Sequence, residues 1–253
     1  MDFQKTSVNF NGMLIQEPVT ALTDLLVSLV CLYAFFKLKP VNRSVALLKY
    51  YFLTMALATA YGGIIGHAFL HYVSFGWKVP GWLISMFSVA LLERASITHA
   101  KPILTKNLGT LFTTLNSIEL ITLIVIVLAT FNFTFVEAHA AYGLLVVVFS
   151  FEAFIFKSTK ADSSRLFLIA TGISAVAATV HLTQFSIHPW FNHLDLSHVL
   201  MAMAAYVFYC GGLKLENRIS IPTKFAFFWG PELRTARDAV HATKEVPFGD
   251  PRP

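Results

Sequence analysis

The sequence predicts an all-α polytopic membrane protein, a bundle of seven transmembrane helices, and three observations carry that expectation. Of 253 residues, 56% are hydrophobic and only 13% charged, which is more apolar material than one soluble core of this length would bury. Seven segments reach the roughly 20 apolar residues that a ~30 Å hydrocarbon core requires. The basic residues also alternate between loops in the way that membrane orientation imposes.

The spans are expected at about 18–37, 45–72, 80–98, 108–131, 134–156, 164–187 and 189–212. Short breaks separate them: Lys39-Pro40, Val79-Pro80, Lys101-Pro102, the cap sequence Asp162-Ser163-Ser164, and His188-Pro189. Proline lacks the N–H that would continue a helix, and Asp and Ser bond to free backbone groups at its start. No linker is long enough to separate a pair of domains, so residues 1–213 form the membrane domain. Residues 214–253 are expected to be a cytoplasmic, partly disordered tail, in which the run TKFAFFWG has the composition of an interfacial segment. The polar start, MDFQKTSVNFNG, lacks the basic and apolar regions of a cleavable signal, so the first span is expected to direct insertion.

Orientation follows from Lys and Arg. Lys37, Lys39, Arg43 and Lys49 follow the first span; Arg94, Lys101 and Lys106 cluster around the end of the third; Lys157, Lys160 and Arg165 follow the fifth; Lys214 and Arg218 follow the seventh. The intervening turns carry only Lys78. The N-terminus is therefore expected outside and the C-terminus in the cytoplasm, with Trp77, Trp82 and Trp190 in the outer aromatic belt. These basic residues are explained by topology, so the net charge of +5 gives no reason to expect a nucleic-acid partner. Cys31 and Cys210 lie within apolar stretches and are expected to be buried thiols.

That topology gathers seven of the nine histidines at one level. His67, His71, His139, His181, His188, His193 and His198 all fall near the outer ends of their spans, joined by Glu17 and Asp24. At 1.5 Å per residue they lie within about 15 Å of the outer surface in depth. Ionisable groups in a membrane segment are costly unless partnered, which makes them candidates for function. His67 and His71 are four apart and share a helical face, a spacing with which two imidazoles reach one ion. His193 and His198 are five apart, about 140° around a regular helix, and meet one metal only if the helix begins between them or is distorted. Asp195 shares a face with His198 and is a candidate ligand or orienting acceptor. His67, His71, His193 and His198 are thus the candidate metal ligands, with Asp24 and Asp195 as candidate catalytic carboxylates. His139 and His188 are read as interfacial residues.

Preceding His67, the run ATAYGGIIG thins one side of the second span and lets a neighbouring helix or a ligand approach. Glu119 and Glu152 are expected in the cytoplasmic halves of the fourth and fifth spans, pairing through a shared proton or with help from Asn116 or Lys157. Glu93 and Arg94 are expected at the inner interface of the third.

GGIIGHAFLH resembles the small-residue, histidine-terminated motif of the alkaline ceramidases. EPVTALTDLL is similar to the Glu-x-x-Asn-x-x-Ser-Asn pattern of their first span, and His198-Val199-Leu200 followed by Tyr206 resembles their His-Val-Leu-x5-Tyr run. These enzymes belong to a seven-span superfamily that includes adiponectin-type receptors. The resemblance implies a zinc-dependent membrane hydrolase acting on a lipid amide or ester through water, with His67 and His198 as ligands. The family's other seventh-span histidine falls on Leu194, so His193 or Asp195 would replace it. Its second-span serine falls on Gly63, and its third-span aspartate has no counterpart beside Trp77 and Lys78. The alternatives are a non-enzymatic seven-span receptor or structural protein with a His-rich metal site, and a b-type haem protein. Retinal is disfavoured because the seventh span has no lysine before Lys214.

Overall fold

The computed structural model describes residues 6–215; the tail, with His241 and TKFAFFWG, lies outside them. Seven helices are long and apolar enough to cross a membrane: Pro18–Lys37, Arg43–Ala68, Phe75–Ile103, Lys106–Thr130, Thr134–Thr159, Asp162–Thr183 and His193–Lys214. They are numbered below as the first to seventh spans.

One element departs from the all-α expectation. Strands β1 (Ser7–Phe10) and β2 (Met13–Gln16) form an antiparallel hairpin that pairs Ser7 with Gln16 and Phe10 with Met13. The turn is Asn11-Gly12, with φ of 51° and 85°, the dipeptide that best tolerates two successive positive φ values in a tight hairpin. Leu14 N–H donates to the Tyr72 hydroxyl at 3.2 Å, which ties the hairpin to the short turn that follows the second span.

Span boundaries follow from local chemistry. Asn42 accepts from Val45 N–H and Thr105 from Leu108 N–H, each satisfying an orphan donor at a helix start. Asp162, expected as a side-chain cap, is instead the first helical residue of the sixth span and makes no such bond. The sixth span stops at Thr183 because Gln184 turns left-handed, and His188 and Phe191 exchange backbone hydrogen bonds in the turn beyond it. The seventh span accordingly starts at His193, later than Pro189, under an Asn192–Asp195 capping box.

The first span packs against the second and seventh, the second against the third, and the sixth against the seventh. Glycines set the closest approaches. A Cβ on Gly212 would stand 2.6 Å from Leu48 Cδ2, and one on Gly211 would stand 2.6 Å from a Phe167 ring carbon. The buried interior is polar as well as apolar: Asp24, Glu93, His139, Glu152 and Asp195 are all buried, while Leu22, Leu29 and Phe36 of the first span and Ile118, Ile121 and Val125 of the fourth point outward. Apolar exteriors around partnered polar interiors are what a lipid solvent selects.

Two spans are interrupted by π-helical turns. Gly62–Ala68 closes the second span and Tyr142–Val148 lies within the fifth. Each inserted turn shifts the helical phase of the residues beyond it, and such turns recur where a side chain must be re-aimed.

Candidate metal centre

Asp24 is the meeting point of the first, second and seventh spans. His67 Nε2 lies 3.8 Å from Asp24 Oδ2, and His198 Nε2 lies 3.5 Å from Asp24 Oδ1. The outer nitrogen of each ring is committed elsewhere. His67 Nδ1 is 3.2 Å from Glu17 Oε2. His198 Nδ1 is 3.1 Å from Thr23 Oγ1, whose hydroxyl donates to the Thr20 carbonyl at 3.0 Å. Since Thr23 uses its hydrogen on Thr20, it accepts from His198 Nδ1–H. Both imidazoles therefore turn Nε2 toward one carboxylate.

Local sequence explains the convergence. Glu17 takes a left-handed conformation, φ 44° and ψ 49°, just before Pro18 opens the first span. This places its carboxylate over the span end. Gly63 sits so close to the first span that a Cβ there would be 2.9 Å from Asp24 Cβ and from the Ala21 carbonyl. The small-residue run thus brings Asp24 within reach of the second-span histidine. The π-helical turn carries His67 itself.

Asp195 Oδ2 accepts Asn192 N–H at 2.7 Å in the capping box, while its Oδ1 is buried with no hydrogen-bond partner among the described residues. His193 is the first residue of the seventh span, and its ring faces His181 at 5.8 Å between centroids; His181 in turn bonds Glu137 at 2.9 Å. His71 does not share a face with His67. The π-helical turn ends at Ala68, and His71 comes after it on the short 3-10 turn Leu70–Tyr72, exposed, with its ring 4.0 Å from that of Tyr72.

A second polar group is not visible in the spacing of the sequence. Glu93, Glu119 and His139, from the third, fourth and fifth spans, place one ligand atom each within 4.8 Å of one another, and the group has the spacing to hold a metal ion. Glu93 is fully buried within a span that runs on to Ile103. His139, expected to be interfacial, is also fully buried, bonded to Glu119 Oε1 at 2.7 Å and to the Met86 carbonyl at 2.9 Å. Glu119 and Glu152 do not pair; Glu152 faces His99 Nδ1 at 3.1 Å. Asn116, expected to help that pair, instead donates to Glu93 Oε2 at 2.9 Å.

A family model matches residues 19–217, the whole span region from the second residue of the first helix; it is that of a family of unknown function, DUF6962. No curated protein and no solved structure matches the chain.

Proposed function

The chain belongs to the DUF6962 family, and we propose that it is a zinc-dependent integral membrane hydrolase that cleaves a lipid amide or ester. The observation that carries this reading is the turning of two imidazole Nε2 atoms, from His67 and His198, toward Asp24, with the other ring nitrogens held by Glu17 and Thr23. Metal-binding histidines are oriented in this manner, by an acceptor on the nitrogen away from the ion. The two Nε2 atoms face different oxygens of the Asp24 carboxylate, at 3.8 Å from His67 and 3.5 Å from His198, and the ring centroids stand 6.3 Å apart.

In this role His67, His198 and Asp24 hold the ion. Bound zinc with an open position supplies Lewis acidity toward a carbonyl and an acidified water. Asp195 Oδ1, buried and without a hydrogen-bond partner among the described residues, would be the carboxylate oxygen open to receive a proton. Glu17 and Thr23 keep the rings aimed. The hairpin end of the bundle faces outside, as the basic loops after the first, third and fifth spans favour. A membrane lipid then brings its carbonyl to the site at headgroup depth while its acyl chain stays among the apolar side chains. The haem alternative is not favoured, because Asp24 stands between the two Nε2 atoms where a porphyrin would pass.

The test is metal analysis of the purified protein together with fatty-acid release from mixed lipid vesicles. The unaltered protein is expected to hold zinc and release fatty acid, and His67→Ala and His198→Ala each to lose one equivalent of zinc together with the release. Zinc binding with no hydrolysis would favour a receptor or structural role instead. Full metal content in both variants would remove the site.

A further inference from the structure

We propose that Glu93, Glu119 and His139 form a second, independent metal site, which takes a divalent first-row ion and clamps the fourth span to the third and fifth. The inference does not rest on the hydrolase reading.

The hydrogen-bond inventory drives it. A carbonyl only accepts, so His139 Nε2 carries a hydrogen donated to Met86, and Nδ1 is left facing Glu119 Oε1 at 2.7 Å. A proton on Nδ1 satisfies that one pair. It does nothing for Glu93 Oε1 or Glu119 Oε2, both buried with no hydrogen-bond partner among the described residues. Buried polar atoms are otherwise almost always paired, and a cation placed among the three side chains would satisfy both oxygens at once. Binding displaces the proton on Nδ1, as metal binding to imidazole generally does.

The surroundings hold the ligands in place. Glu93 Oε2 is occupied by Asn116 Nδ2, and Asn116 Oδ1 accepts from Arg94 Nε at 2.9 Å. The rest of the Arg94 guanidinium goes to neutral acceptors, the Thr113 carbonyl and the Ser117 hydroxyl. Its charge therefore orients the site through Asn116 without neutralising either carboxylate by direct contact. On the other side the π-helical turn of the fifth span brings Gly143 so close that a Cβ would stand 2.5 Å from Glu93 Oε1. Only glycine leaves that oxygen free.

Two carboxylates and one imidazole select the ion class. Imidazole argues against Ca²⁺ and Mg²⁺, and the absence of a thiolate from the trio argues against Cu(I), leaving divalent first-row ions such as Mn²⁺, Fe²⁺ or Zn²⁺. The clamp answers a packing need. Only 11% of the apolar window of the fourth span is buried, against 44% for the first, second and seventh. Its apolar anchor is the small cluster of Val127, Leu120, Leu123 and Ile124 with Met86 and Val136, and polar contacts at Thr113, Asn116, Ser117 and Glu119 add to it.

The full chain, stripped with chelator and reconstituted in nanodiscs, is titrated with Mn²⁺ while thermal unfolding and the electron spin-echo signal of imidazole nitrogen are followed. The expected result is a higher unfolding midpoint and, in the protein carrying His67→Ala with His198→Ala, coupling to a single histidine nitrogen. The pair Glu93→Gln with Glu119→Gln should lose both effects, and the pair His67→Ala with His198→Ala should keep both. Retention of both effects by a folded glutamine pair overturns the site. If that pair does not fold, the nitrogen signal decides: its persistence in the His67, His198 pair supports the site and its disappearance there overturns it. Zinc-dependent hydrolysis is read by the histidine pair alone, so the two proposals fail separately.

Discussion

His198 Nδ1 lies 3.1 Å from Thr23 Oγ1, one residue from the Asp24 carboxylate that its Nε2 faces at 3.5 Å. Because the Thr23 hydroxyl is committed to the Thr20 carbonyl, it presents only lone pairs to the ring. Adjacent residues of one helix thereby set both sides of an imidazole on another. Thr23→Val keeps the shape and removes the acceptor, so zinc affinity should fall about 10–100-fold, the usual cost of losing such a partner. Thr23→Ser should retain it. Competition titration against a chromophoric chelator reads the difference, and equal affinity for all three proteins would mean the ring is oriented some other way.

The approach of the first and second spans rests on Gly63. A Cβ there would meet the Ala21 carbonyl and Asp24 Cβ at 2.9 Å, and the former is backbone that cannot rotate aside. Gly63→Ala is expected to cost about 1–3 kcal/mol, as overpacking generally does, and to lower zinc affinity by moving Asp24 from His67. Gly66→Ala is the control, since a Cβ at Gly66 meets nothing within 4 Å. Thermal unfolding of the two variants should differ by several degrees; matching midpoints would show that the helices separate without penalty.

Periodicity and topology are the most legible features of this sequence. Long apolar runs located every span, and the grouping of histidines by membrane level brought His67, His198 and Asp24 together across 175 residues of chain separation between Thr23 and His198. Phase within a helix was less legible. A π-helical turn has no marked composition, so the shared face expected for His67 and His71 was lost at Ala68. The same holds for Glu93, Glu119 and His139, one residue from each of three spans, whose meeting depends on helix rotation and on the turn that presents Gly143. The β-hairpin did carry a signal, Asn11-Gly12 between short apolar stretches, masked by the polar character of the segment as a whole.

Gly12 supplies the hairpin prediction. With φ at 85° and open space where its Cβ would stand, Gly12→Ala meets no clash but forces an L residue into a disfavoured conformation, at about 1–2 kcal/mol. The loss should be local. Hydrogen exchange at Leu14, whose N–H is held by Tyr72, should quicken several-fold while the global unfolding midpoint stays in place. A fall in the global midpoint would mean that the hairpin supports the bundle as well as covering its end.

Asn116 links a guanidinium to a carboxylate that do not touch, and its removal tests how the third and fourth spans are joined. Its amide donates to Glu93 Oε2 and its carbonyl oxygen accepts from Arg94 Nε, so one side chain satisfies a buried carboxylate and a part-buried guanidinium. Asn116→Leu preserves the volume and removes both bonds. Unpaired buried groups cost about 1–3 kcal/mol each, with charged ones at the upper end, whereas Arg94 keeps Thr113 and Ser117 as acceptors. The larger share of the penalty therefore belongs to Glu93. In a double-mutant cycle, Asn116→Leu should destabilise strongly in the native background and much less once Glu93→Gln has removed the carboxylate, giving a coupling of about 1–2 kcal/mol, within the range found for contacting residues. Strict additivity in chemical or thermal unfolding would place the cost of Asn116→Leu on Arg94 instead, and would detach the orientation of Glu93 from the fourth span.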